Sequence, residues 1–456
     1  MNINDWIDSQ KDALTKDLRK CIQIRSVYED DRSGYPYGEK VQECLQYVLN
    51  LAKDMGFSVQ NWENRVGWCE YGNGPKMVAV LGHLDVVPEG EGWSIPPYEG
   101  LVTDGKIYGR GSMDDKGPTI AALYALKAIK KSGLPLKHRI RILFGVNEET
   151  GSADMKFYIK NGGEVPVMGF TPDGEYPVIN GEKGLITEEY TKKLTQSGNI
   201  KLLHLQGGTA HNIVPNHATA EFTCSPILTQ KALALKEEKV TVSRTNTGFK
   251  IEAAGVGAHG GTPWEGENAI GRLMLALSHL PITGDAAQAI QFLAKKIGME
   301  CDGKSLKIAM EDQDSGPLTF NLGIVSGDEH KIYVKINYRY PVSKNFDDCG
   351  PIVEKAFAEA GFERTSLVHK KSLYMAPDSE LVQKLLKVYR QQTGQDAKPK
   401  CIGGGTYAKT IPNTLAFGPI FPGDEVREHK PDEFMEISRL VQNCKIIAAA
   451  MYELAK

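Results

Sequence analysis

Apolar positions along the chain follow two different rhythms. Up to about residue 180, short apolar runs alternate with helical patterns. "MVAVLGH" (77–83) is a continuous run and predicts a buried strand. "RIRILFGVNEET" (139–150) sets Ile140, Ile142, Phe144 and Val146 at alternate positions and predicts a second. Between them, "GPTIAALYALKAIKKSG" reads as a helix with Pro118 in its first turn and Gly133 at its end. Its apolar residues cover most of the circumference, so burial is expected. At the amino terminus Ile7, Leu14, Leu18, Cys21 and Ile22 suit an amphipathic helix. This alternation predicts an α/β domain with a mixed, largely parallel sheet flanked by helices.

From 181 to 384 the pattern changes. "KIYVKINYRYP" places Ile332, Val334, Ile336 and Tyr338 on one face of a half-buried strand. "ENAIGRLMLALSHL" places Ile270, Leu273, Leu277 and Leu280 on one side of a helix. An inserted α+β domain is expected here, large enough for two similar halves. Residues 385–456 return to helix, glycine-rich turn, strand and helix, completing the first domain with 1–180.

The length of 456 residues accommodates two cores, and 41% hydrophobic with 24% charged residues is ordinary globular composition. A net charge of −3 gives no reason to expect nucleic acid or an anionic membrane as partner. No apolar run reaches the roughly eighteen residues a membrane helix needs. The first twenty residues lack a secretory apolar block. The eight cysteines, spread from Cys21 to Cys444, show no CxxC or CxxH spacing, which argues against a disulfide framework or zinc ribbon. The cytoplasm is the expected location.

Candidate chemistry lies where apolar runs end. "GHLDVVP" delivers His83 and Asp85 directly after a strand. "GRGSMDDKGP" sets Asp114 and Asp115 before a helix, "FGVNEETGS" ends a strand with Glu148 and Glu149, and "FTPDGEYP" places Asp173 after another apolar run. Taken singly, each acid is most simply a solvated loop residue or a cap. Together they are expected to converge, because strand carboxyl ends of a parallel sheet line one edge. Several carboxylates share a small site only when cations or protons offset their repulsion. Imidazole mixed with carboxylate suits zinc or manganese better than magnesium. Two metals sharing one carboxylate would account for the number of acids. One of Glu148 and Glu149 would reach a metal, and the other the water that the metal acidifies.

These four motifs, in this order, resemble the signature series of the di-metal aminoacylase/carboxypeptidase superfamily. "GVGAHGGTPWEGENA" and "FGPIFPGDEVREHKPDEFM" fit the same series further along. Length, the large middle region and "GGGTYAK" (403–409) are most similar to the bacterial PepV-type, carnosinase-like dipeptidases. The resemblance implies that His83 and Asp173 bind one metal, Glu149 and His429 a second, and Asp114 both. Asp115 is the rival for the shared position, but the family's ligand stands two places before the motif lysine, here Lys116. Asp85 would orient His83. Glu148 would be general base, then acid. His259 would stabilise the oxyanion, and Arg339 would grip the substrate carboxylate. Asn212, Gly404 and Thr406 are further substrate-binding candidates. "GGGTYAK" is not a phosphate loop, since no GK[ST] follows. His204, His211 and His217 are expected to be structural.

The resemblance implies a hinged metallopeptidase, with 181–384 as a lid, that hydrolyses unblocked dipeptides. Zinc is the expected ion, with manganese or cobalt as alternatives, and a monomer is expected. The rival hydrolase is an N-acyl-amino-acid deacylase or desuccinylase with the same metal site. A non-catalytic peptide- or metal-binding protein is disfavoured by Glu148, since binding alone needs no base.

Overall fold

A computed structural model of the chain describes residues 1–30, 34–195 and 198–456. It divides into two compact units. The first comprises Met1–Asn180, Met375–Lys400 and Gly405–Lys456, and the second Gly181–Tyr374 with Cys401–Gly404. The chain thus returns to the first unit at Met375 rather than at 385. The reason is the helix Glu380–Thr393, which packs on the last helix, Ile437–Ala455, with Lys387 paired to Glu453 at 2.9 Å.

In the first unit the sheet runs in the order Ser58–Trp62, Val66–Tyr71, Arg139–Gly145, Met77–His83, Met168–Thr171, Thr414–Ala416, and then the strand beginning at Ile179. Its four central strands are parallel, and the pairings on either side of them are antiparallel. Met77–His83 is buried at every position, as expected of a strand paired on both sides. Met77, Ala79 and Leu81 pack with Met155, Tyr158 and Tyr407. Strand alternation turns Val78 and Val80 to the opposite face. Lys116–Ser132 packs against this strand and is buried almost all round, as its apolar circumference predicted. The amino-terminal pattern is realised as two helices, Ile3–Ser9 and Lys11–Ile22, which bury the five residues the periodicity selected.

The second unit is built on one continuous eight-stranded sheet, antiparallel throughout. Its order is Val240–Arg244, Gly248–Ala254, His217–Cys224, Ile200–Gly207, Thr319–Gly327, Lys331–Tyr340, Gly184–Lys193 and Glu363–Lys370. Helix Ala269–Ser278 packs against its strands with Ile270, Leu273 and Leu277 in the core. Lys331–Tyr340 alternates at first, but from Ile336 to Tyr340 every residue is buried.

Candidate metal centre

The parallel strands of the first unit end at one edge, and the acidic motifs follow those ends. His83 closes its strand, Glu148 and Glu149 stand just beyond Gly145, and Asp173 stands two residues beyond Thr171. Asp114 comes from the turn before helix Lys116–Ser132. His429 lies in the left-handed backbone region (φ 59°), a conformation that non-glycine residues adopt rarely and often at functional sites.

These residues meet. His83 Nε2 lies 2.9 Å from Asp114 Oδ1 and 3.8 Å from Asp173 Oδ2. His429 Nε2 lies 3.0 Å from Asp114 Oδ2 and 3.1 Å from Glu149 Oε1. The two oxygens of one carboxylate therefore face two different imidazoles. Ligand atoms of His83, Asp114 and Glu149 all fall within 4.8 Å of one another. Atoms ringing a zinc-sized ion at about 2.0–2.2 Å stand about 3–4 Å apart, so the spacing fits. The tautomer fits as well. His83 Nδ1 donates to the Asp85 carbonyl at 2.9 Å, which leaves Nε2 as the free lone pair. The donor set and its spacing suit a divalent metal ion.

Asp85 reaches His83 chiefly through its backbone. Its carboxylate stands 3.5 Å from Nδ1 and is engaged elsewhere, accepting the Glu148 and Glu149 backbone N–H groups at 3.1 Å each. Both the carbonyl and the carboxylate of Asp85 therefore lie against the His83 imidazole. The carbonyl fixes the ring, and the carboxylate also fixes the next acidic turn. Asp115 does not share the Asp114 position. Its buried Oδ2 accepts from the His83 backbone N–H at 3.1 Å and from Thr119 Oγ1 at 3.0 Å.

Sequence reading missed Glu433. This fully buried carboxylate accepts the backbone N–H groups of Gly111, Met113 and Asp114 at 3.0, 2.9 and 3.2 Å, and pairs with buried Arg110 at 2.7 Å. Bonds to ionised acceptors are stronger than neutral ones, so Glu433 fixes the loop that presents Asp114. "RG" and "DEF" in the motifs are its only trace in sequence.

The acids of the centre favour protonation of its imidazoles. Burial works against charge on His429, but Glu149 and Asp114 outweigh it and push the imidazole up to about 12. His83 is raised as well, burial being overcome by Asp114 and Asp85. Asp114 is held well below the usual carboxylate range despite its burial, because both imidazoles face it. A metal ion must displace the imidazole protons to bind. Both histidine values being raised, this competition persists through neutral pH and weakens as pH rises. Metal affinity should therefore climb from pH 6 to 8, with release of on the order of two protons when both histidines become ligands. Titration calorimetry in buffers of different ionisation enthalpy counts them; no buffer dependence would contradict the arrangement.

In the second unit Arg339 and His259 lie together. The buried guanidinium donates to the Gly403 carbonyl at 2.8 Å, and its Nη2 stands 3.4 Å from His259 Nε2. Among the described residues no carboxylate pairs with Arg339, and burial pushes it down to about 10, so it stays charged at neutral pH. Asn212 adjoins this pair through its backbone, its carbonyl accepting the Gly260 N–H at 2.7 Å. The boundary between units runs through "GGGTYAK", with Gly404 in the second and Thr406 in the first. Thr406 Oγ1 accepts the Ala408 N–H at 3.2 Å and caps the short turn Tyr407–Lys409. His204 and His217 are exposed, and burial lowers His211.

Residues 79–453 match the family described as Peptidase family M20/M25/M40. A Bacillus subtilis (strain 168) protein named "Putative dipeptidase YtjP" is 34% identical, with all of both chains covered. The "Beta-Ala-Xaa dipeptidase" of Lactobacillus delbrueckii subsp. lactis is 32% identical over 100% of this chain and 99% of its own. Among solved structures, human carnosine dipeptidase 1 superposes with a TM-score of 0.60 at 15% identity, covering 99% of this chain and 98% of that one. Its identity is low enough that the likeness speaks for the fold alone.

Proposed function

The chain belongs to peptidase family M20/M25/M40, and on that premise we propose that it is a metal-dependent dipeptidase acting on unblocked dipeptides. The observation that carries this reading is Asp114, whose two carboxylate oxygens each face a histidine. We assign two divalent ions to the centre, zinc foremost, with manganese or cobalt able to serve the same donors. One would be held by His83 and Asp173, the other by Glu149 and His429, with Asp114 common to both. Bound there, such ions supply Lewis acidity to the peptide carbonyl and acidify water.

The residues of the chain carry the remaining steps. Glu148 takes the proton of the attacking water and returns it to the departing amine. Asp85 keeps Glu148 in place through the main chain. A buried cation without an acidic partner is costly, and a substrate carboxylate would answer Arg339 with a bidentate pair. His259 beside it donates to the developing oxyanion. Asn212, Gly404 and Thr406 complete the contacts to the carboxyl end of the substrate. Among the described residues no helix is long and apolar enough to cross a membrane. A cytoplasmic monomer that binds no nucleic acid is the reading consistent with composition and charge.

A panel of free dipeptides, their N-acylated counterparts and free tripeptides tests the assignment. Turnover of the free dipeptides is expected to dominate. Hydrolysis confined to blocked substrates would replace it with the deacylase reading.

A further inference from the structure

Four consecutive backbone N–H groups, those of residues 146 to 149, end on two buried carboxylates. Glu148 and Glu149 donate to Asp85, as described above. Val146 and Asn147 donate to one oxygen of Asp154, at 2.6 and 3.0 Å. The Tyr407 hydroxyl donates to that same oxygen and also lies 3.4 Å from the Asn147 nitrogen. Asp154 and Tyr407 are both fully buried. Gly145, which leads into the turn, is shaped to this contact. A Cβ there would stand 2.0 Å from the Tyr407 hydroxyl oxygen, so only glycine lets the phenol reach the turn.

We propose that Asp154 and Tyr407 are positioning residues for the hydrolytic reaction, fixing through the main chain where Glu148 presents its carboxylate. The proposal rests on the reading of Glu148 as general base. Neither residue is counted among the metal ligands or the substrate contacts. Asp154 comes from the first turn of helix Ala153–Lys160, and Tyr407 from the turn capped by Thr406. Each is anchored in an element separate from the strand that delivers Glu148. Bonds from amides to an ionised carboxylate are stronger than those between neutral groups. A turn held by four of them has little freedom to rotate its side chains away from a productive pose. The Tyr407 hydroxyl also joins the base turn to the segment carrying Thr406, a proposed substrate contact. The backbone that leads into the base and the segment carrying Thr406 thus meet at one buried oxygen.

Tyr407→Phe, which removes only the hydroxyl, tests this, with Asp154→Asn beside it. Kinetics, bound metal and hydrogen–deuterium exchange of the segment 145–152 are measured together. Misplacement of a reacting group by about 1 Å can cost up to a hundredfold, so kcat should fall about ten- to a hundredfold. KM should stay within roughly threefold, because ground-state binding is not the interaction removed. Metal content should match the parent enzyme, and amides 146–149 should exchange faster in both the loaded and metal-free protein. A folded Tyr407→Phe enzyme with unchanged kcat overturns the proposal, as does a fall in kcat that tracks loss of metal, or unchanged exchange. Should Asp154→Asn not fold, Tyr407→Phe decides alone. If the parent enzyme hydrolyses only N-acylated substrates, the same kcat ratio measured on those still decides, so the dipeptide reading can fail separately. Unchanged turnover in Glu148→Ala would instead remove the premise.

Discussion

Glu148→Ala is expected to keep its full complement of metal while kcat falls by roughly two to four orders of magnitude, the usual contribution of general acid–base catalysis. Retention of metal follows from the geometry. The cluster around Asp114 is formed by His83, Glu149, Asp173 and His429, and the backbone N–H of Glu148 is held by Asp85. Removing the side chain leaves that bond and the neighbouring Glu149 bond in place. Glu148→Gln should lose rate to a similar degree, since an amide of the same size cannot accept the proton. Metal analysis of the purified variants beside their kinetics checks both halves. Unchanged turnover would take Glu148 out of the mechanism, and loss of metal would make it a ligand or a support for one.

The same contacts show what a sequence conveys and what it conceals. Met77–His83 was legible because six non-polar residues in a row (77–82), closed by a histidine, are local facts about neighbouring residues. Helix Lys116–Ser132 was legible for the same reason, with its proline and glycine at the two ends. The choice between Asp114 and Asp115 came from the family resemblance, in which the shared ligand stands two places before the motif lysine. In the fold the two carboxylates diverge, Asp114 to two imidazoles and Asp115 to the backbone of the strand end.

Asp154, Tyr407 and Glu433 were not legible. Their work is to accept or share backbone N–H groups of segments distant along the chain, and any residue except proline offers such a donor. Periodicity and motif spacing carry no mark of it. Asp85 falls between these cases: its place beside His83 was plain, while the engagement of its carboxylate with Glu148 and Glu149 needed the fold. The return of the chain at Met375 was hidden likewise, because the short turn before helix Glu380–Thr393 has no periodicity of its own.

Substitution of Asp114 should have the other large effect, and comparison with its neighbour makes that effect specific. In Asp114→Ala both histidines lose the carboxylate that joins them, so bound metal should fall well below that of the parent protein. Loss of metal removes several kcal/mol of transition-state stabilisation, so activity should drop on the order of a thousandfold or more. Asp115→Asn should do neither. Burial, with the nearby acids, raises Asp115 well above the usual carboxylate range, so a neutral amide suits the position. One of its oxygens makes no hydrogen bond among the described residues. An asparagine carbonyl can take over the bonds from the His83 N–H and Thr119 while the amide nitrogen replaces the other oxygen at nearly the same size. Equilibrium dialysis against a chelator-buffered metal series, run on both variants with their kinetics, separates the two carboxylates. Equal metal loss in both would return Asp115 to the ligand set and undo the assignment of a single shared carboxylate.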